Sequence, residues 1–136
     1  MKEMREILFR GKRKDNGEWV EGFYFKGFTG IPYIMTLHDH ILGVTKYFEV
    51  ISETVGQYTG LMDKNGVEVY EGDLLSYDCG DNDIEPCEVR FLNGRFVTQR
   101  VVSGTIDDVP YQTIKLAKVI SNVFDNPDLL KEGVSG

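Results

Sequence analysis

Two histidines separated by one residue are the first place in this sequence where metal binding or catalysis would be expected. His38 and His40 flank Asp39. On a strand, residues two apart share a face, so both imidazoles would meet one cation while Asp39 points away. This pair supplies only two ligands, and neither an HExxH motif nor a further histidine accompanies it. A solvated connecting loop is the simpler interpretation. The alternative is a metal-dependent enzyme built on His38, His40 and nearby acids.

An acidic run near the middle of the chain offers oxygen ligands for calcium or magnesium. Its members are Asp78, Asp81, Asp83, Glu85 and Glu88. The run does not match an EF-hand loop, because that loop needs acids at alternate positions and a central glycine. We therefore expect a charged surface loop without a metal.

The two cysteines, Cys79 and Cys87, bracket most of this acidic run. They are too few for a disulfide scaffold and do not form the close pairs of a zinc finger, although the fold could still assemble a site from both cysteines and both histidines. Reduced thiols in a cytosolic protein are expected. A hairpin that brought the two thiols together would allow a disulfide in air.

Motifs for covalent or nucleotide chemistry are missing from the sequence. It contains no nucleophile elbow, Walker loop or dinucleotide fingerprint. Its 22 acidic residues offer many carboxylate pairs, but nothing shows which of them lie within the roughly 5–10 Å that glycoside hydrolysis requires. The sequence thus predicts no catalytic, cofactor-binding or metal-binding residue, and a protein that is not an enzyme.

Charge is distributed unevenly along the chain. The 136 residues carry a formal charge of −7, yet Met1–Lys14 holds six basic and two acidic side chains, so the remainder carries −11. A surface this acidic repels a polyanion, which disfavours a broad nucleic-acid interface. The basic block that includes Lys12, Arg13 and Lys14 is expected to be a solvated strand end and turn, with contact to a phosphate or an acidic partner as the alternative.

Aromatic residues are concentrated in the N-terminal half. They are Trp19, Phe23, Tyr24, Phe25, Phe28 and Tyr33. Such residues bind single-stranded nucleic acid when basic side chains accompany them, but basic residues are sparse after Lys14. Packing within a core of alternating strands is expected, and surplus aromatics left exposed would mark a protein interface.

The elements that must position these residues are strands. Alanine occurs once, at Ala117, whereas Val, Ile and Thr together number 31, a composition typical of strands. Asn-Gly pairs at 16–17, 65–66 and 93–94 are each predicted to supply the positive φ of a type I′ hairpin turn. The first joins strands near 5–9 and 19–25, and the third joins 87–92 to 95–102.

Further strands are predicted at 31–35, 46–51, 73–77 and 117–124. Asn126-Pro127-Asp128 is typical of a helix start, so a short C-terminal helix should follow, with a frayed tail at 132–136. Apolar runs are far shorter than the roughly 20 residues that cross a bilayer, and the first residues do not resemble a signal peptide. We expect one mainly β domain over 1–136, with an N-terminal hairpin lobe at about 1–55 and a C-terminal lobe at about 56–131.

One segment carries a more specific signal. Gln57–Leu75 reads QYTGLMDKNGVEVYEGDLL and resembles the signature of the YopX family of phage and prophage proteins. Met4–Arg10 resembles the opening strand of that family and Val119–Leu130 its closing segment, so the resemblance spans nearly the whole chain except for 20–52 and 78–116. Within the signature, residues 63–66 are expected to form a turn and 67–70 an extended stretch, and Gly72 is expected to allow a sharp bend into the next strand.

The resemblance implies a mostly β protein encoded by a phage or prophage in a bacterial host, in a family with no established activity or catalytic residue. The Gly-Asp entry into a strand before a hairpin is similar to small SH3-like barrels, a likeness of fold alone. We expect a cytoplasmic, non-enzymatic accessory protein that binds another protein or itself, without a cofactor or membrane. The alternative is a nucleic-acid-interacting module in phage replication or regulation.

Overall fold

The protein is mainly β, as predicted. The computed structural model describes residues 7–36, 46–77, 86–108 and 114–127. Within them the strands form two antiparallel sheets. The strands are β1 Phe9–Lys12, β2 Trp19–Lys26, β3 Pro32–Thr36, β4 Lys46–Glu49, β5 Gly56–Met62, β6 Glu68–Tyr70, β7 Asp73–Tyr77, β8 Cys87–Leu92, β9 Arg95–Arg100, β10 Ile106–Asp108 and β11 Ala117–Asn122.

The chain divides into two compact units, Met1–Tyr58 and Thr59–Gly136. In the first unit, neighbouring strands follow the order β4-β3-β2-β1-β5, and β5 pairs with β1 through its first two residues, Gly56 and Gln57. The end of β1 also reaches the far strand, since Arg13 forms an antiparallel bridge with Val50. Ile34 and Val50 are fully or almost fully buried between these strands. Gly11 leaves room for them, because a Cβ there would lie 3.1 Å from the Val50 Cβ.

In the second unit, β5 continues beside β6, and a five-stranded sheet has the order β10-β9-β8-β7-β11. Its core is a small apolar cluster that comprises Val69, Leu75, Val89, Ile114 and Ala117. These residues come from four strands and the segment before β11, so the signature segment contributes both Val69 and Leu75 to the core.

The turns correct one prediction. Asn93 and Gly94 both have positive φ, 54° and 81°, so the turn between β8 and β9 has the predicted type I′ geometry. At 16–17 and 65–66 only the glycine has positive φ, and the type I′ prediction is wrong there. Side chains explain the difference, because Asn16 accepts the Glu18 N–H in the first turn and Asp63 accepts two N–H groups in the second.

Several expectations about the architecture stay predictions. The strand orders end without a closed barrel over the described ranges, so the SH3-like barrel is not established. The predicted C-terminal helix and the predicted frayed tail fall after Pro127, outside the described residues. Among the residues that the structure describes, no helix has the length and apolarity to span a membrane.

Candidate interaction surface on the first sheet

The strands of the first unit have one face that packs inward and one that does not. Strand alternation and the pairing register place Ile34 and Val50 on the inward face. The opposite face is here called the outer face. It carries Trp19, Glu21, Phe23 and Phe25 of β2, Arg10 and Lys12 of β1, Tyr33 and Met35 of β3, and Tyr47 and Glu49 of β4.

A row of apolar side chains crosses the outer face. Phe23 pairs with Met35, and Met35 pairs with Tyr47, so these three lie side by side on three adjacent strands. Phe23 is 49% exposed and Tyr47 is 60% exposed. Contiguous apolar surface of this kind on a folded protein is typical of an interaction site.

The neighbouring row gives this surface a fixed shape. Phe25 stacks on Tyr33 with ring centroids 5.4 Å apart, and Tyr47 meets Tyr33 edge-on at 5.6 Å. Offset and edge-to-face geometries are the favourable ones for aromatic pairs. Each ring therefore limits the rotamers of its neighbours, and the surface is ordered before any partner binds.

The other end of the outer face is basic. The guanidinium carbon of Arg10 lies 4.7 Å from the ring centroid of Trp19, and the ammonium nitrogen of Lys12 lies 5.5 Å from it. Both distances are within the range of cation–π attraction. The indole thus holds two positive charges beside the apolar rows.

Two further basic residues, Arg13 and Lys14, have acidic partners within the protein. Arg13 packs its guanidinium 4.0 Å from the centroid of the Phe48 ring and contacts Asp15 through two hydrogen bonds. These bonds lower the pKa of Asp15 below its ordinary value. Lys14 forms an ion pair of 3.1 Å with Glu49. The prediction of a strand end and turn holds for this block, in which Arg13 and Lys14 have local acidic partners.

A shallow depression of about 300 Å³ lies at the edge of β4. It is lined by Lys14, Asp15, Tyr47, Phe48 and Glu49. Tyr47 therefore belongs both to the outer face and to this depression.

Most residues singled out for metal chemistry lie outside the described ranges. These are His38, His40, Cys79, Asp78, Asp81, Asp83 and Glu85. Cys87 is described and lies buried in β8. Burial raises the pKa of Glu88, with Arg90 opposing the rise and Glu71 adding to it. Over the described residues, no three metal-ligating side chains come together.

The signature segment contains two buried carboxylates that the sequence did not single out. Asp63 is 5% exposed, and it accepts the N–H groups of Asn65 at 2.8 Å, Val67 at 2.9 Å and Val119 at 2.9 Å. Burial would raise the pKa of Asp63, but these three bonds, with Lys64 nearby, hold it below its ordinary value. Asp63 thereby ties the turn after β5 to β11.

Asp73 has a similar local role at the second bend of the signature. It is 1% exposed and accepts the Tyr70 N–H at 2.7 Å. Gly72, just before it, has a φ of 93°, and a Cβ there would lie 2.9 Å from the Phe124 ring. Both buried carboxylates are thus engaged by the main chain, which indicates a structural function for this part of the signature.

Comparison with known proteins agrees with the resemblance in the sequence. A family model described as YopX protein matches residues 8–131. The crystal structure of protein EF1440 from Enterococcus faecalis is similar, with a TM-score of 0.63 and 23% identity over 93% of this chain and 99% of that chain. At this identity the likeness concerns the fold alone. Curated proteins give no match. Because the family model covers nearly its entire length, this chain belongs to the YopX family.

Proposed function

We propose that this protein is a non-enzymatic accessory protein of a phage or prophage that binds another protein through the outer face of its first sheet. The observation that carries the proposal is the row Phe23–Met35–Tyr47, whose two outer members are about half exposed or more. The same strands already bury Ile34 and Val50 on their other face. The exposed aromatic row is therefore not needed to fill that core, and a partner would remove it from water.

The proposal extends to the setting of the protein. The chain acts in the cytoplasm of the bacterial host, as a single YopX-like domain with lobes at about 1–55 and 56–131. The second lobe is related to SH3-like barrels. Self-association is a further mode of contact for the same surface, and no metal or cofactor takes part. Family membership supports the phage or prophage origin.

The experiment compares two exposed phenylalanines, one inside and one outside the proposed surface. Phe23 on the outer face is 49% exposed, and Phe91 in the second unit is 45% exposed. Tagged wild-type protein and the Phe23→Lys and Phe91→Lys variants are used to purify partners from the prophage-carrying host, in extracts treated with nuclease.

We expect one defined protein to be recovered with the wild type and Phe91→Lys, and to be lost with Phe23→Lys. Circular dichroism must show that both variants remain folded. Equal recovery by the two variants would refute the outer face as the binding surface. A strictly monomeric protein that recovers no partner would refute the proposed function itself.

A nucleic-acid-binding function is the second candidate, and two observations favour it. Arg10 and Lys12 lie against Trp19 on the same face as the aromatic rows. The unit 1–58 has eight basic and eight acidic residues, whereas 59–136 has seven basic and fourteen acidic. The acidic excess that would repel a polyanion is therefore confined to the second unit.

The ion pairs of Arg13 and Lys14 argue against this candidate, because their charge is already compensated. Its test is the binding of a single-stranded oligonucleotide at increasing salt. Affinity should fall steeply with salt and be lost when Lys12, Arg13 and Lys14 are neutralised. Absence of binding at low salt would remove this candidate.

A further inference from the structure

The main chain of β4 has two different sides. Val50 donates its N–H to the Pro32 carbonyl at 3.1 Å, which makes these two residues a hydrogen-bonded pair. Because such pairs alternate along an antiparallel ladder, Phe48 also bonds towards β3, while the main-chain groups of Tyr47 and Glu49 point away from it. The Lys14 N–H reaches the Glu49 carbonyl at 3.0 Å from that other side. The outer edge of β4 is therefore able to accept a strand.

The protein itself occupies only part of this edge. Lys14, just after β1, donates its N–H to the Glu49 carbonyl, and Ile51, just after β4, donates its N–H to the carbonyl of Lys12 at the end of β1 at 2.8 Å. The chain then turns away, and Gly17 donates to the Arg13 carbonyl at 2.8 Å.

The rest of the edge offers unpaired groups at Tyr47. Lys14 already lies opposite Glu49, and no residue in 7–36, 46–77, 86–108 or 114–127 bonds to the outward N–H and C=O of Tyr47. These two groups continue the row that Lys14 begins.

We propose that β4 binds an extended peptide of the partner protein as an added strand beside Tyr47. This inference rests on the proposed function and specifies how the partner is held. Strand addition at a sheet edge obtains affinity from main-chain hydrogen bonds and specificity from alternate side chains. A strand added here would lie beside Tyr47 and so adjoin the apolar row of the outer face.

The depression at this edge selects the chemistry of the peptide. Lys14 and Glu49 form an ion pair at 3.1 Å, and Asp15 is paired with Arg13 at 2.6 Å. Among the described residues that line this depression, the charged ones are already paired with each other or with Arg13, whereas Tyr47 and Phe48 offer apolar contact. The volume of about 300 Å³ is at the small end of ligand pockets. The occupant is therefore an extended, uncharged segment with an apolar side chain facing the depression.

A second copy of this chain fits the edge poorly. If β4 paired with its own copy about Tyr47, Glu49 would have to bind the new strand at a carbonyl that Lys14 already occupies. A register shifted by two residues would place Lys46 opposite Lys46, and like charges opposite each other destabilise a sheet. An edge lysine is also a common device against such pairing.

The test removes a single main-chain N–H. The full-length protein is used to select from random peptides displayed on filamentous phage, and affinities of the selected peptides are measured for Tyr47→Val and Tyr47→Pro. Both variants lack the ring, but only proline lacks the N–H that points out of the sheet. Proline is tolerated at such an edge position, and circular dichroism checks the fold.

A second variant keeps the ring. The α-hydroxy acid analogue of tyrosine at position 47 replaces the N–H with an ester oxygen, so it tests the same hydrogen bond without proline. We expect extended apolar peptides to bind Tyr47→Pro about tenfold more weakly than Tyr47→Val, and to bind the ester variant about tenfold more weakly than the wild type, the loss of one hydrogen bond in each case.

Strand addition would be refuted if Tyr47→Pro bound as well as Tyr47→Val and the ester variant bound as well as the wild type, or if the selection enriched no peptide. Neither outcome would affect the proposed function if recovery of the natural partner still depended on Phe23. Conversely, recovery that is indifferent to Phe23 would refute the outer face as the binding surface whatever the peptides show.

Discussion

Replacing Asp63 with alanine should lower the free energy of unfolding of the second unit by about 2–4 kcal/mol, because three main-chain N–H groups lose a charged acceptor. Each hydrogen bond to a charged group contributes about 1.5–3 kcal/mol. The full sum is not expected, since Asn65 and Val67 are exposed and water replaces their partner. The bond to Val119 spans 56 residues of sequence and connects the turn to β11. The loss of this bond accounts for most of the expected decrease in the free energy of unfolding.

The assay has a global and a local part. Urea unfolding followed by circular dichroism gives the free energy, and amide hydrogen exchange reports the N–H of Val119, which should exchange faster in Asp63→Ala. Asp63→Asn keeps an oxygen acceptor for the turn but sets its NH2 group against the Val119 N–H. Its free energy of unfolding should therefore lie between those of the wild type and Asp63→Ala. Asp15→Ala is the matched control, because Asp15 is also in a turn but is exposed. It should change little.

The pH dependence of stability tests the same carboxylate. The pKa of Asp63 is below its ordinary value of 3.8 in the folded protein, so the unfolded chain binds more protons and stability rises with pH in this range. The contribution is complete above the ordinary pKa and is lost as the pH falls through the folded-state pKa. Asp63→Asn lacks this contribution. If Asp63→Ala left both the unfolding free energy and the Val119 exchange rate unchanged, the structural role of this carboxylate would be refuted.

Three further substitutions have defined outcomes. Gly22→Ala should lower the free energy of unfolding by about 3 kcal/mol or more, because its Cβ would lie 1.9 Å from a main-chain oxygen of β3. At Gly17 a Cβ has open space, so Gly17→Ala should lower it by only about 1 kcal/mol, the cost of the positive φ. Thermal unfolding of the two variants measures the difference. Burial raises the pKa of Glu88, so the folded protein binds more protons than the unfolded chain at this residue. The stability of the wild type relative to Glu88→Gln should therefore fall as the pH rises past 4.5, the ordinary pKa of a glutamate. Midpoints of urea unfolding measured across pH test this. Thr54→Val removes the hydroxyl that accepts the Lys12 N–H at 2.9 Å and should cost about 1–3 kcal/mol in urea unfolding.

The strands could be predicted where alternation and turn residues agree. The predicted 73–77 and 87–92 coincide with β7 and β8, and the hairpin at Asn93-Gly94 has its predicted geometry. Strands β5 and β10 were not predicted. Gly56 and Gly60 interrupt the side-chain pattern of β5, and β10 has only three residues, so both depend on pairing with distant strands.

The two wrong turn types have a related cause. Asn-Gly predicts a type I′ turn where the main chain alone determines the reversal. At 63–67 the Asp63 N–H donates to the Val67 carbonyl at 2.8 Å, and the carboxylate of Asp63 adds bonds both within the turn and to Val119. A bond across 56 residues cannot be read from local sequence, so neither the turn type nor the burial of Asp63 could have been inferred beforehand.

The outer face shows why family resemblance gives the fold and not the partner. The signature at 57–75 supplies Asp63, Gly72 and Asp73, whose identities are dictated by buried main-chain bonds or by a close approach to another side chain. Phe23 and Tyr47 lie in 20–52, outside the segments that carry the resemblance, and their exposed rings contribute little to the core. Folding therefore constrains the first set of residues more strongly than the second. Under the proposed function, we expect partner specificity to reside in β2 to β4, so that exchanging exposed residues there should change the partner while the signature continues to hold the fold.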